Sequence, residues 1–373
     1  MKVKKVVVAS DSFKGTLSSL DICHLFKQEI DNRKDVELTC LAVADGGEGS
    51  LEAIASSLDG QFKELEVKDL YFNKIKTNIF VSRDKAFIEC ASCVGLTLAK
   101  EDNNPGEVTT FGLGEQIKAC IDMGISNIYI FLGGSASNDG GVGLTAALGT
   151  RFFNKDKQEF IPVGLTLKDI DHIDCSLSNE LLKNINIIVL SDVKSPFYGK
   201  AGAAYVFAKQ KGASEEEIVL LDEGLKHLSD VIKNDLNVDI SNVSGSGAAG
   251  GLGGGLVAFG HAKIVSGIDT ILDLIHFDDC IKDADIIISG EGKLDHQTFD
   301  GKVVNGIAKR CVKLHKRLTL IVGKSEISLE EAKRAYPCID LIYETNELHL
   351  PFAVVKATAK EDYIKQIRKL LSE

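Results

Sequence analysis

The sequence lacks an apolar stretch long enough to cross a membrane, and it also lacks an excess of basic charge. Its 43 lysines and arginines are outnumbered by 54 aspartates and glutamates, which gives a formal net charge of -11 at pH 7. Nucleic acids and anionic membranes are bound by basic faces, so we expect neither as a partner. The first apolar run ends in polar residues at Ser10, too early for a signal peptide. The protein is therefore expected in the cytoplasm.

A disulfide framework is not expected either, because the nine cysteines are scattered and odd in number. Such cysteine usage indicates a reducing compartment. Cys90 and Cys93 stand at C-x-x-C spacing within an apolar run, and no second pair follows at zinc spacing. We interpret them as buried thiols of a core.

Motifs of three common enzyme classes are absent from the sequence. It contains no H-E-x-x-H of zinc proteases and no G-x-S-x-G of α/β hydrolases. The run Gly323-Lys324-Ser325 is not a P-loop, because Leu318 stands where G-x-x-x-x-G-K-[ST] requires glycine.

The chain is long enough to indicate two domains, since 373 residues exceed one ordinary core. Near both chain ends, apolar strands alternate with amphipathic helices, the pattern of parallel βαβ units. Residues 61–91 instead contain consecutive strands, which is typical of an antiparallel or mixed sheet. We predict an α/β protein in which both chain ends (1–70 and 280–373) build a Rossmann-like, doubly wound parallel-sheet domain. A large second α/β domain (71–279) is predicted to be inserted between them.

Five polar loops follow predicted strands. Ligands of parallel sheets bind outside the carboxyl ends of the strands, so these loops are expected to converge on one cleft. The five loops comprise residues 10–16, 45–49, 133–141, 191–196 and 289–298. A sixth segment, residues 245–255, contains G-x-G-x-x-G but follows a poor strand. We interpret it as a loop and a helix whose small residues permit close packing.

Charged residues in the first two loops suit a small anionic ligand. Lys14 can hold a carboxylate or a phosphate, while Asp45 and Glu48 place carboxylates at the same sheet edge. The structural alternative is a solvated lysine at a helix start, beside a turn in which Asp45 serves as a helix cap.

The third loop has the composition of a phosphate site. Its glycines offer consecutive backbone amides ahead of a helix, which together form an anion cradle. Ser135, Ser137 and Asn138 add neutral hydrogen-bond donors.

The remaining two loops offer metal ligands and cations. Asp192 stands where a strand leaves the sheet, a usual place for a metal ligand or a general base. Glu291 or Asp295 can bind magnesium, and Lys293 or Lys302 can neutralise a transferring phosphate. The alternative for residues 289–298 is a solvated charged loop.

In their order along the chain, these motifs resemble the bacterial glycerate kinase family. The matching runs are DSFKGTLSS, VADGGEGS, GGSASNDGG, SDV, KQKGA, GSGAAGGLG and SGEGKLDHQT. They extend over essentially the whole chain. The resemblance implies a two-domain α/β enzyme, unlike P-loop kinases, that phosphorylates D-glycerate with ATP and Mg²⁺.

The candidate residues are assigned to this reaction by their chemistry. The expected catalytic residues are Lys14, Asp45 and Asp192, and the choice of base between the two aspartates is left open. The residues expected to bind glycerate are Ser12, Lys14, Asp45 and Glu48. The residues expected to bind the nucleotide are Gly133, Gly134, Ser135, Asn138, Asp139, Lys293 and Lys302. The expected magnesium ligands are Asp192, Glu291 and Asp295.

Two alternative functions are weighed against this one. The glycines of residues 245–250 are compatible with a nicotinamide-dependent oxidoreductase of a small hydroxy acid, but they lie outside a compact βαβ unit. The other alternative is a non-catalytic α/β ligand-binding protein. We favour 2-phosphoglycerate over 3-phosphoglycerate as the product, although the sequence does not fix the acceptor hydroxyl. The adenine pocket and the presence of a homo-oligomer are left open.

Overall fold

The computed structural model describes residues 3–31, 33–47, 49–299, 301–346, 348 and 350–372. These residues form two compact units. Unit 1 comprises Met1–Asp45, Glu52–Leu58 and Ser266–Glu373, and unit 2 comprises Gly46–Leu51 and Asp59–Val265.

Strands and helices alternate through much of the described chain. The strands are β1 (Lys4–Ser10), β2 (Val36–Ala42), β3 (Gln61–Lys68), β4 (Lys74–Ser82), β5 (Lys85–Glu89), β6 (Asn127–Phe131), β7 (Arg151–Phe153), β8 (Glu159–Phe160), β9 (His172–Asp174), β10 (Asn186–Leu190), β11 (Lys263–Val265), β12 (Ile286–Ser289), β13 (Lys293–Leu294), β14 (Leu318–Val322), β15 (Lys324–Ser325) and β16 (Ile339–Glu344). The α-helices are α1 (Ser19–Ile30), α2 (Ser50–Ser57), α3 (Ala91–Val94), α4 (Phe111–Asp122), α5 (Val142–Ala147), α6 (Ser176–Leu182), α7 (Glu215–Leu236), α8 (Leu252–Gly260), α9 (Gly267–Leu274), α10 (Phe277–Ile281), α11 (Val303–Lys313), α12 (Leu329–Ala335) and α13 (Phe352–Ser372). Each helix in the described part of the chain is too short or too polar to span a membrane.

Unit 1 is built on a parallel sheet to which both chain ends contribute. Its described strands lie in the order β16-β14-β12-β1-β2. In the interior strand β1, Val6 lies opposite Leu38 of β2 on one side and Ile286 of β12 on the other. The apolar run of β1 is buried, as expected for a strand that is covered on both faces. The predicted α/β class, with a parallel sheet formed from both chain ends, is confirmed.

Helices α1 and α13 pack together in the core of unit 1. A capping box begins α1, in which the Asp21 N–H donates to Ser18 Oγ at 3.0 Å. Tyr363 of α13 is fully buried, and its ring lies edge-on to Phe26 and Phe13 at centroid distances of 6.1 and 5.4 Å. Since Phe13 belongs to the loop after β1, the last helix of the chain helps to hold that loop in place.

Unit 2 contains a mixed sheet. Its described strands lie in the order β11-β10-β6-β5-β4-β3. The pairs β3–β4 and β4–β5 are antiparallel, whereas β5, β6, β10 and β11 pair in parallel. The consecutive strands predicted for residues 61–91 form this antiparallel part. Two smaller sheets are β8-β7-β9 in unit 2 and β13-β15 in unit 1.

The two units differ from the predicted domain ranges 1–70 with 280–373 and 71–279. β3 pairs with β4 along its whole length, so a boundary after residue 70 divides a hairpin. Helices α9 and α10 lie in unit 1, where Arg310 of α11 reaches the Asp273 carboxylate at 2.8 Å. The predicted ranges thus place β3 and α9 in the other unit and divide α10, because a change in local pattern does not show which elements pack together.

Candidate active site

Three loops leave the carboxyl edge of the unit 1 sheet side by side. They follow β12, β1 and β2, which are neighbours in the strand order. The first two loops are joined by a hydrogen bond from the Asp11 N–H to the Gly290 carbonyl at 3.0 Å. This edge is where open parallel sheets bind their ligands.

Asp11 is an acidic residue of this edge that the sequence reasoning missed. Its Oδ1 atom accepts a hydrogen bond from the Ser12 N–H at 2.7 Å. Burial raises the pKa of Asp11 to about 7, and the negative charges of Asp45 and Glu291 add to the rise, whereas Ser12 and Lys14 oppose it. Asp11 therefore exchanges a proton near neutral pH. The available signal was its position as the first charged residue after β1.

The residues predicted to bind glycerate differ in their exposure. Lys14 is exposed, while Ser12 and Asp45 are half-buried. The charges of Lys14 and Asp45 both act on Asp11, so these side chains share one electrostatic neighbourhood. Glu48 lies outside the described residues.

In the loop after β12, predicted phosphate-binding lysines pair with predicted magnesium ligands. Lys302 Nζ lies 3.7 Å from the buried carboxylate of Glu291, and Lys293 Nζ lies 3.2 Å from the carboxylate of Asp295. Burial raises the pKa of Glu291 to about 6, partly opposed by Lys302. A phosphate or a cation bound here would therefore replace one partner of an existing ion pair.

Asp192, the third predicted magnesium ligand, follows β10 in unit 2 and is half-buried. Glu291 and Asp295 belong to unit 1. Across the described residues, no three His, Cys, Asp or Glu side chains form a group that could hold a metal ion. The magnesium ligands remain a prediction.

The backbone of the glycine-rich loop after β6 is already extensively paired within unit 2. The N–H groups of Ala136, Asn138 and Gly140 each donate to a carbonyl oxygen of another segment, at 2.8, 2.8 and 3.1 Å. The predicted cradle of consecutive free amides is therefore only partly available, because neighbouring segments use these donors.

Asp139 holds the same loop together. Its carboxylate is fully buried and accepts hydrogen bonds from the N–H and hydroxyl of Thr110, both at 2.8 Å, and from the Gly141 N–H at 3.0 Å. Burial raises the pKa of Asp139 despite these bonds. These bonds give Asp139 a structural role, and its predicted contact with a nucleotide stays a prediction.

Three side chains of unit 2 carry buried polar atoms without a hydrogen-bond partner in the described chain. They are both amide atoms of Asn138 and the hydroxyls of Ser137 and Ser246. All three residues are 0% exposed. Buried polar groups are normally paired, and an unpaired one costs about 1–3 kcal/mol of folding free energy. Such atoms are suited to binding a polar ligand.

Lys211 is a buried cation beside this loop, although the sequence analysis gave it no role. It is only 5% exposed, and its Nζ donates to Ser135 Oγ at 2.9 Å and to the Ser137 carbonyl at 2.7 Å. Within the described chain it forms no ion pair. Burial lowers the pKa of Lys211 to about 8, partly offset by Cys90 and Asp139.

A tight turn carries Lys211 inward. Lys211 ends a short 3₁₀-helix, Lys209–Lys211, and the next residue, Gly212, has a φ of +107°. A Cβ at Gly212 would lie 1.9 Å from the Asn103 carbonyl oxygen, so glycine is required there. Asn103 Nδ2 also donates to the Lys211 carbonyl at 2.7 Å. The glycine was the available signal, since lysines in a short polar turn are usually exposed.

Comparison with known proteins identifies relatives over nearly the full chain. The sequence model of the glycerate kinase family matches residues 6–371. A glycerate kinase of Bacillus cereus is 38% identical over 323 residues, which cover 86% of this chain and 85% of that protein. The glycerate 2-kinase of Escherichia coli K12 is also 38% identical over 323 residues, with the same coverage. A crystal structure from Salmonella typhimurium LT2 assigned to glycerate kinase 2 has a TM-score of 0.87 and 33% identity, covering 100% of this chain and 98% of that one.

Proposed function

The chain belongs to the glycerate kinase family, and we propose that it transfers the terminal phosphoryl group of ATP to the 2-hydroxyl of D-glycerate. The family predicted from the sequence is confirmed by the similarity, which also supports phosphorylation of glycerate, whereas the acceptor hydroxyl and the use of Mg²⁺ are our proposals. It is supported by the Escherichia coli relative, whose name specifies a glycerate 2-kinase.

The length of the family match is the main support for this proposal. The family match spans residues 6–371, so it includes the polar loops of both units rather than one shared domain. Neither the oxidoreductase nor the non-catalytic alternative has comparable support.

We assign the binding of glycerate, the phosphoryl acceptor, to the charged residues at the sheet edge of unit 1. Glycerate is a small anion with two hydroxyls, so its site requires a cation for the carboxylate and a proton acceptor for the attacking hydroxyl. We assign Lys14 to the carboxylate and Asp45 to the hydroxyl, with Asp192 as the alternative base. Ser12 and Glu48 are assigned to the remaining substrate contacts.

On the donor side, phosphoryl transfer requires positioning and charge neutralisation more than covalent chemistry. The proposed nucleotide contacts are Gly133, Gly134, Ser135, Asn138, Asp139, Lys293 and Lys302. The proposed ligands of Mg²⁺ are Asp192, Glu291 and Asp295. Oxygen ligands of this kind suit magnesium, which when bound neutralises phosphate charge.

The proposed cytoplasmic location is supported by the state of the cysteines. All nine are free thiols, and six are buried. Cys90 and Cys93 are both 0% exposed, as predicted for core thiols. A protein with nine free thiols and no disulfide among them is typical of a reducing compartment.

An assay of ADP release tests the proposed activity. With ATP and magnesium present, ADP should form only when glycerate is added, and D-glycerate should be used in preference to L-glycerate. A matched reaction without glycerate measures background ATP hydrolysis. Glycerate binding without ADP release, or NAD-dependent oxidation of a hydroxy acid by the purified protein, would contradict the proposal.

A further inference from the structure

We propose that Lys211 binds a phosphate group of the nucleotide, together with the side chains of Ser135, Ser137 and Asn138. The inference extends the proposed function, on which it rests for the identity of the ligand as ATP. It adds a residue that is absent from the nucleotide contacts predicted from the sequence.

The charge of Lys211 favours an anionic ligand. A buried ammonium without an anionic partner is costly, so buried lysines are normally paired or neutral. The carboxylate of Asp139 is close enough to favour the charged form of Lys211, but it is already bonded to Thr110 and Gly141. A phosphate oxygen would supply the missing counter-charge.

The hydrogen-bond donors of Lys211 are not all used within the described chain. An ammonium group has three N–H donors, and two acceptors of Lys211 lie in the described chain, Ser135 Oγ and the Ser137 carbonyl. One donor therefore remains for a ligand. The unpaired hydroxyl of Ser137 and the unpaired Nδ2 of Asn138 add two neutral donors in the same loop.

The amide of Asn138 favours a nucleotide over a simple anion. Asn138 also has an unpaired Oδ1, which requires a hydrogen-bond donor. Inorganic phosphate supplies mainly acceptors, whereas a nucleotide carries both phosphate oxygens and ribose hydroxyls. A nucleotide can therefore satisfy both amide atoms of Asn138.

The competing explanation is that Lys211 only fixes the loop through Ser135 and Ser137. In that case its removal would lower the thermal stability of the protein and weaken all ligands to a similar extent. If Lys211 instead binds phosphate, its removal would weaken ligands according to their phosphate groups.

A nucleotide series measured by calorimetry separates these explanations. In Lys211→Met the affinities for ADP and ATP should fall about 10- to 100-fold, because a charge-assisted hydrogen bond is lost, while that for adenosine should not change. Methionine retains the length of the apolar stem, so the Tm should not fall. Lys209→Met is the matched control, because Lys209 lies in the same turn but is exposed and pairs with Glu215 at 2.6 Å. It should bind every ligand as the wild type does.

Two outcomes would overturn the inference. One is an equal loss of affinity for adenosine and ATP in Lys211→Met, which a loop-fixing role explains. The other is unchanged ATP affinity with weaker glycerate binding, which would place the acceptor rather than the donor beside Lys211.

Asn138→Leu provides a second variant in case Lys211→Met does not fold. Leucine has a similar volume and removes both unpaired polar atoms, so Tm should rise while ATP affinity falls. A lower Tm with unchanged ATP affinity would count against the inference.

The inference about Lys211 and the proposed function can be contradicted independently of each other. A wild-type protein that phosphorylates glycerate, with a Lys211→Met variant that retains full ATP affinity, defeats the inference alone. A wild-type protein that binds ATP through Lys211 but does not phosphorylate glycerate defeats the proposed function alone.

Discussion

Asp45 follows β2 at the sheet edge of unit 1, where its charge acts on Asp11. Replacing it by asparagine keeps the shape and removes the proton acceptor. We expect kcat of Asp45→Asn to fall by roughly 10²–10⁴, with little change in ATP affinity. Steady-state kinetics at saturating ATP measures this.

Asp192→Asn is the matched comparison for Asp45→Asn. If Asp45 only caps a helix, asparagine replaces it well, because the two residues are about equal as N-caps. Near-normal turnover in Asp45→Asn together with a large loss in Asp192→Asn would therefore transfer the base role to Asp192.

Asp11 makes the stability of the protein depend on pH. Its carboxyl has an ordinary pKa of 3.8 and a pKa of about 7 in the fold, so between these values the folded protein holds more protons than the unfolded chain. The free energy of unfolding consequently falls as pH rises through this window and is level above it. Asp11→Asn has no carboxyl group to ionise, so the variant avoids this loss of stability. Its amide oxygen can still accept the hydrogen bond from the Ser12 N–H. Its Tm should exceed that of the wild type most above pH 7.

Thermal unfolding of Asp11→Asn across that pH window tests the shift. The difference in Tm should shrink as the pH falls towards 3.8, because the wild-type carboxyl is then neutral as well. A difference that does not depend on pH would show that Asp11 has no raised pKa.

Candidate residues can be proposed from the sequence by their position in the chain, but not by their burial. Lys14 and Asp45 were proposed because they follow predicted strands, and their roles stay predictions. The burial of Lys211 depends on contacts with Ser135, which is 76 positions away, and the structural role of Asp139 depends on Thr110, 29 positions away. No local pattern reveals contacts of this range.

Helix α8 packs closely against the proposed nucleotide loop. A Cβ added at Gly255 would lie 2.2 Å from the Gly140 carbonyl oxygen, and neither backbone can yield easily. Gly255→Ala should lower the free energy of unfolding by about 1–3 kcal/mol. It should also weaken ATP binding, since Gly140 belongs to that loop.

Gly260→Ala at the end of the same helix is the control for Gly255→Ala. Its added methyl would meet Ile187 Cδ1 at 3.1 Å, the tip of a flexible side chain. Urea unfolding of both variants gives the comparison. Equal stability of the two would contradict the close packing of α8 on the loop.

Strands with a strong apolar or β-branched run were predictable from the sequence. The pairing of strands with a weaker run was not. β1 and β12 have short β-branched runs, and both were found and lie side by side in the sheet. The small residues of 245–255 were expected to permit close packing, and α8 confirms this. The predicted boundary after residue 70 separated β3 from β4, although the two strands form an antiparallel hairpin in unit 2.

At the scale of the whole molecule, each unit has its own sheet and its own buried core. Lys14, Asp45 and Asp11 belong to unit 1, whereas Lys211 and the glycine-rich loop belong to unit 2. The net charge of -11 makes local cations such as Lys14 and Lys211 important for two anionic substrates.

Phosphorus NMR of the product tests the central claim most directly, because it establishes both the reaction and the position of transfer. The protein is incubated with ATP, magnesium and D-glycerate, and the proton-coupled phosphorus signal of the product is recorded. In 2-phosphoglycerate the phosphorus couples to the single C2 proton, so the account predicts a doublet. A triplet, from coupling to the two C3 protons of 3-phosphoglycerate, would contradict transfer to the 2-hydroxyl. The absence of any new phosphate ester would contradict the kinase itself.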